Sequence, residues 1–226
     1  MRLNDEQIQR LREVISGYDF PMVAYDFEKQ HERSNFESYL ELERYVCDLL
    51  RSGRSEAVRN GLSNVLYWGY ATSRGRQRDR VGKFRARVTE QQLSAFSRVV
   101  RATEFIKPSD ICKCGLPQFS KLSFISKVLM FLDPYRYVTL DLQLRKIQNA
   151  GISTIFKNLK ACPTYLPVNQ HNETFYYSWC STCAEIAREY FDSTGIRAVD
   201  VERGIFTLVR NGETDFAARL LNQVEA

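Results

Sequence analysis

The chain lacks several features that would assign it quickly to a class. No apolar run approaches the roughly 20 residues needed to span a bilayer, and the opening MRLNDEQIQRLREV is an amphipathic helix pattern rather than a secretion signal. Strand-like alternation is weak throughout, and neither an internal repeat nor a low-complexity tract is present. Cysteine is sparse: six residues in 226 are too few for a disulfide framework in a chain of this length. The expectation is a soluble, cytoplasmic protein with reduced thiols. Cys162, His171, Cys180 and Cys183 form the one set that could be assembled around zinc. Against that, Cys180 and Cys183 fall inside the helical pattern YSWCSTCAEIAREYF, and no second CxxC pair exists. The spacing fits none of the usual iron–sulfur runs either. The reading therefore calls for no metal and no cofactor.

What is present is enough for a packed core. The 226 residues are 44% hydrophobic and 12% aromatic, which suits one domain or two small lobes. Helical periodicity predicts helices over 4–15, 35–50, 56–70, 89–100, 122–132, 142–147, 175–190 and 199–221, the last broken near Gly212, with a short helical stretch at 108–114. Asn4, Ser34 and Thr89 read as N-caps, Thr89 with Gln92 three residues on as a near capping box. Residues 20–33, 73–88, 105–108 and 151–173 lack the pattern and read as connections. The fold class is mainly α. The expected organisation is a set of N-terminal helices, 1–55, packing with a C-terminal helical lobe, 151–226, around a central helical lobe, 56–150.

Net charge is only +5, but its distribution is uneven. The segment SRGRQRDRVGKFRAR carries Arg74, Arg76, Arg78, Arg80, Lys83, Arg85 and Arg87 against the single acid Asp79, which suggests a polyanionic partner as readily as a solvated loop.

The most informative stretch is Leu116 to Asp141, LPQFSKLSFISKVLMFLDPYRYVTLD. Pro117 forces Gly115 and Leu116 out of continuous helix, so residues 116–121 make a tight link between two helices. In such a link successive backbone N–H groups and the second helix's N-terminus form an anion site, to which Lys121 adds charge. On the second helix Leu122, Ile125, Val128, Leu129 and Leu132 form an apolar stripe. Ser123, Ser126, Lys127 and Met130 are expected on a second face that looks outward or into a cleft. The apolar approach Tyr137–Leu140 then ends in Asp141, an expected N-cap whose carboxylate a helix N-terminus keeps ionised.

This order of turn, helix and acid resembles the helix-hairpin-helix DNA glycosylase superfamily, whose members carry an LPGVG-type hairpin, a helix and an aspartate in a VD or LD pair. The 26 positions from Leu116 to Asp141 align without gaps to the 8-oxoguanine DNA glycosylase pattern, including Leu116-Pro117, the Met-x-Leu-Asp at Met130–Asp133 and the final acid. The tail RAVDVERGIF, preceded by WCSTCAEIA, is similar to a bacterial branch with that fold. The resemblance implies a two-lobed, mainly α, helix-hairpin-helix glycosylase-like fold that binds double-stranded DNA as a monomer, away from membranes. It would flip out a modified base and hydrolyse its N-glycosidic bond to leave an abasic site. The base would be 8-oxoguanine, for repair, or a bulky modification of phage DNA, for antiviral defence.

Carried over position by position, Asp141 is the expected catalytic acid, Gln118, Phe119, Ser120 and Lys121 are expected DNA contacts, and Leu122, Ser126 and Gln143 are expected base-pocket residues. The basic run adds Arg74, Arg76 and Arg78 as expected DNA contacts. Base flipping uses planar side chains, which makes Trp68 and Trp179 further expected base-pocket residues. Two departures are specific: Gln118 and Ser120 replace the hairpin glycines, and Leu122 stands where bifunctional members keep a nucleophilic lysine. A leucine cannot form a Schiff base, so the enzyme is expected to be monofunctional unless Lys121 or Lys127 supplies the amine. The alternative is a catalytically silent helix-hairpin-helix DNA-binding module.

Overall fold

The computed structural model describes residues 2–103, 105–152 and 154–225, without the side chains of Arg74 and Glu225. It is mainly helical, with one two-stranded sheet among the described residues. The chain divides into two compact units, Phe20–Asp133 and Met1–Asp19 with Pro134–Ala226. These limits differ from the expected 1–55, 56–150 and 151–226.

In the unit 20–133 the chain opens with β1 (Ala24–Asp26) and β2 (His31–Arg33), antiparallel with Tyr25 opposite Glu32. Helices α2 (Tyr39–Arg51), α3 (Ser55–Gly69), α4 (Arg74–Arg87), α5 (Glu90–Ala102), α6 (Pro108–Lys113) and α7 (Leu122–Leu132) follow. Helix α3 is the hub and touches α2, α4, α5, α7 and β1. It is buried without a break from Asn60 to Trp68, and two buried polar side chains on it tie down its surroundings. Asn64 brackets Tyr25 in β1, accepting from its N at 2.6 Å and donating to its O at 3.1 Å, and Asn60 accepts from Arg85 Nη1 of α4 at 2.7 Å. Helix α2 belongs here rather than with the termini because its buried stripe Leu42, Val46 and Leu50 packs on α3 and α7.

Helix α4 corrects the reading of residues 73–88 as a connection. Its buried stripe is Gln77, Val81, Phe84 and Val88, at helical spacing i, i+4, i+7 and i+11. Only three of those four residues are apolar, and they lie among seven cations and two glycines, which masked the periodicity. Helix α2 begins four residues later than expected, capped by Ser38 rather than Ser34: Ser38 Oγ accepts from Glu41 N at 3.3 Å, and Phe36, ahead of the cap, packs its ring against Tyr45 of the helix. Asn4 and Thr89 cap α1 (Asp5–Ser16) and α5, as their sequences predict, and both caps close reciprocal capping boxes.

The second unit holds α1 (Asp5–Ser16), 3₁₀ stretches at Leu142–Ala150 and Ile155–Asn158, α8 (Gln170–Phe191), α9 (Ala198–Arg210) and α10 (Thr214–Glu225). Residues 134–150 belong here because the 3₁₀ stretch Leu142–Ala150, expected as α-helix, packs on α9 and α10. Gly204 on α9 brings α1 close: a Cβ there would lie 2.7 Å from Ile15 and 2.9 Å from Leu11. Helix α8 starts within the expected connection 151–173, because Asn169 caps it and the fully buried Asn172 bonds to both N and O of Lys160 and to Pro167 O. The expected break near Gly212, at φ 86°, separates α9 from α10. No helix among the described residues is long and apolar enough to cross a membrane.

Candidate functional site

In the unit 20–133, α6 ends at Lys113 and the chain turns through Gly115, left-handed at φ 66°, whose carbonyl accepts from Gln92 Nε2 at 2.6 Å. Leu116 is buried, and its carbonyl accepts from Phe119 N at 3.1 Å, closing a tight turn around Pro117 and Gln118. Gln118 sits at φ 70°, a region that costs a residue with a Cβ roughly 1–2 kcal/mol. Ser120 is exposed and is not among the positive-φ residues. The conformation at Gln118 is held from α4: Arg80 Nη1 donates to Gln118 Oε1 at 3.0 Å, and the Arg80 guanidinium lies 6.0 Å from the Tyr70 ring. Sequence reasoning counted Arg80 in the basic run without selecting it for the site, since nothing in its own segment distinguishes it from the neighbouring arginines. Phe119, expected as a contact surface, is 1% exposed and packs edge-on against Phe84 and Phe124. A phenyl group on so polar a turn anchors it to the core, which leaves Gln118, Ser120 and the exposed Lys121, N-cap residue of α7, as the outward groups.

The second face expected on α7 is not open. Ser126 and Met130 are fully buried, Lys127 is 5% exposed, and Leu122 is a core residue. Ser126 Oγ donates to Ser123 O at 3.1 Å, while Lys127 Nζ donates to the same carbonyl at 3.3 Å and lies 5.3 Å from the Phe124 ring. The cause is close packing with α3: a Cβ on Gly69 would lie 2.7 Å from the Phe124 ring and 3.2 Å from Lys127 Cδ. Trp68, on the same stretch of α3, is wedged between Phe20 and Phe131 with ring centroids 5.0 and 5.2 Å away, so it serves packing rather than a pocket wall.

Helix α4 carries its cations on two flanks of its buried stripe, as a 100° step dictates. Arg76, Arg80, Lys83 and Arg87 share the flank bonded to Gln118, and Arg78 and Arg85 share the other. Arg76, Arg78, Lys83 and Arg87 are exposed, and Lys83 pairs with Asp79 at 2.9 Å. Arg85 is occupied structurally, bonding Asn60 and Glu56 and lying 4.3 Å from the Phe27 ring. The side chain of Arg74 lies outside the described residues.

Asp141 lies in the second unit, at the end of a run, Tyr137–Leu140, that is buried at every position. Buried extended backbone must find hydrogen bonds away from water. Two rings of α8 provide them: Tyr176 Oη donates to Val138 O at 2.8 Å and Trp179 Nε1 to Thr139 O at 3.0 Å. Trp179 is fully buried against Phe156, centroids 5.1 Å apart, so it anchors the backbone ahead of Asp141 instead of lining a base pocket. Tyr176, three residues earlier on the same face, was the partner that the sequence signalled only through this i, i+3 spacing of rings. Asp141 Oδ1 accepts from Gln143 N at 3.0 Å and so caps the following 3₁₀ stretch. Gln143 itself is exposed.

The four potential zinc ligands are not drawn together: among the described residues no group of three His, Cys, Asp or Glu could hold a metal ion. Cys180 and Cys183 are buried within α8, where burial pushes the Cys180 thiol up to about 12, against a smaller lowering by the backbone of Val138 and by Tyr176. All six cysteines are free thiols. In comparisons with known proteins, no family model, curated protein or solved structure matches the chain.

Proposed function

We propose that the protein is a helix-hairpin-helix DNA glycosylase that binds duplex DNA through the 115–121 turn and the Arg76 flank of α4. It excises a modified base under the control of Asp141. The observation that carries this reading is the backbone of the turn. Gln118 stands where the resembling family has glycine, yet it keeps a left-handed φ of 70° at an energetic cost, secured by Arg80. Strain retained at an exposed turn is an observation from which function can be argued. Around it, the amides at the start of α7 and the charge of Lys121 suit a backbone phosphate. Phosphates supply affinity without sequence preference, which fits recognition of a lesion.

Cleavage of the N-glycosidic bond develops positive charge on the sugar, and a fixed carboxylate stabilises it. Asp141 suits this because a cap bond and a twice-anchored backbone hold it in one place. Water then adds to the anomeric carbon as the base departs, taking a proton onto its ring nitrogen, and an abasic site remains. A lysine route is disfavoured, since Leu122 is apolar and buried and the Lys127 ammonium is turned back onto Ser123 O. The candidate substrates are 8-oxoguanine and bulky modified bases of phage DNA.

A second reading is a silent DNA-binding module, favoured by the full burial of Ser126 and Met130, which a base reaches only after side chains move. One experiment separates the two. Duplexes carrying 8-oxoguanine, and heavily modified phage DNA, are incubated with the protein or with Asp141→Asn, and abasic sites are read with an aldehyde-reactive probe. Sites that require Asp141 support the glycosylase. Salt-sensitive binding with no sites on any substrate replaces it with the silent module.

A further inference from the structure

The unit 20–133 contains a pocket of about 680 Å³ that the proposed function does not use. Its volume lies in the roughly 300–1,000 Å³ range of small-molecule sites. Its walls differ in chemistry. Pro21, Val23 and the ring of Tyr67 provide an apolar side, while the carboxylate of Glu32 and the guanidinium of Arg78 place opposite charges in the same pocket. The Tyr67 hydroxyl donates to Glu32 Oε2, which fixes that carboxylate and leaves Oε1 able to accept another donor. Burial, and then this bond to Glu32, hold the Tyr67 phenol well above its usual range, so it stays protonated in that role. On the other side Gln77, 6% exposed, is held by its bond to Tyr67 O at 2.8 Å. Beside it Gly75 presents backbone without a side chain, and a Cβ there would meet nothing within 4 Å.

Arg78 and Gly75 both belong to the first turns of α4, a 14-residue helix whose N-cap, Ser73, makes no side-chain cap bond and whose first turn carries no acid. An anion at Arg78 would therefore also meet the positive end of this helix. A lone anion, however, would have no use for Glu32, and a lone cation would be opposed by Arg78. A zwitterionic amino acid with a small side chain matches both charges but leaves the apolar side bare. A flat, amine-bearing ring joined to a phosphate fits all three features.

We propose that this pocket binds a nucleotide with an exocyclic amine on its base. The base lies along Pro21, Val23 and Tyr67 with its amine donating to Glu32, and the phosphate is held by Arg78 and the start of α4. The chemistry is the same for a free mononucleotide and for one nucleotide of a DNA strand. The inference does not rest on the glycosylase reading, because it involves neither Asp141 nor the 115–121 turn.

The test is calorimetric titration of the full-length protein with dCMP, dAMP, thymidine monophosphate and deoxycytidine. The amine-bearing nucleotides should bind at least about tenfold more tightly than thymidine monophosphate, the size expected for one hydrogen bond to a charged group. Glu32→Leu, which has no acceptor, should erase that preference. Arg78→Gln should weaken dCMP about tenfold or more and leave deoxycytidine unchanged. Gly75→Leu, whose side chain enters open space, should block the pocket without lowering the melting temperature, and Asp141→Asn should bind like the parent protein. If mononucleotides fail but a short single-stranded oligonucleotide binds and both Arg78→Gln and Gly75→Leu weaken it, the ligand is a nucleotide within a strand. Absence of binding by either source, or binding indifferent to Gly75→Leu, overturns the proposal.

Discussion

Helices α7 and α4 lie in the same unit, and each carries lysine or arginine that could contact a polyanion, yet packing treats them oppositely. Helix α7 is apolar almost all round, and its one internal cation, Lys127, is drawn under Phe124 and onto a carbonyl of its own helix. Helix α4 is polar almost all round and is docked by a stripe one residue wide, so that Arg76, Arg78, Lys83 and Arg87 remain exposed. Burial therefore decides which charges are available to a partner, and local composition does not. Lys127, inside the sequence motif, is the less accessible cation, while the basic run that looked like a loop is a helix that displays its charge.

The sharpest way to break this contrast is to undock α4. Phe84 is fully buried and packs edge-on against Phe119 at 5.6 Å, so Phe84→Ala should cost about 3–5 kcal/mol in urea denaturation. A loss below about 1 kcal/mol would mean that α4 is not held by its stripe. The burial of Lys127 depends on the close approach at Gly69, where an added methyl would meet Phe124 at 2.7 Å. Gly69→Ala should destabilise by about 1–3 kcal/mol through overpacking, and Phe124→Leu in the same chain should recover part of the loss. Equal melting temperatures for Gly69→Ala and the parent would remove the packing explanation.

Smaller effects sharpen the account of the turn that joins the two helices' functions. In an Arg80→Ala background, where the side-chain tether is gone, Gln118→Gly should gain about 1 kcal/mol by relieving the left-handed strain. A loss instead would show that the turn is not strained at that residue. The smallest shift is in salt dependence. Arg76→Gln should reduce the slope of log affinity for duplex DNA against log salt by about 0.9, whereas Lys127→Met should leave the slope unchanged. Equal effects from the two would mean that Lys127 reaches the partner after all.

Much of this molecule was legible because local rules agreed with one another. The capping boxes at Asn4 and Thr89, the apolar periodicity of 122–132 and the glycine break at Gly212 are set within a few residues of chain and survive folding intact. Asp141 as a cap was equally local, since it needs only its own carboxylate and the amide of Gln143. Where the reading failed, distant partners decided. Val81, Phe84 and Val88 were too few to mark a helix until Phe119 and the polar residues of α3 gave α4 something to dock on.

The same division holds for the candidate site. Sequence alone determined the order of turn, helix and acid, the kinds of side chain at each place and the mainly helical class, because these follow from spacing, propensity and proline or glycine chemistry. Tertiary structure decided which of those side chains face solvent. It turned Trp68, Trp179, Phe119, Ser126 and Lys127 inward, because each lies against a packed neighbour that no local pattern announces. It also brought Arg80 to Gln118 and Tyr176 to Val138, pairs 38 residues apart in sequence, since only a folded chain can satisfy a buried carbonyl or hold a left-handed turn from a distance.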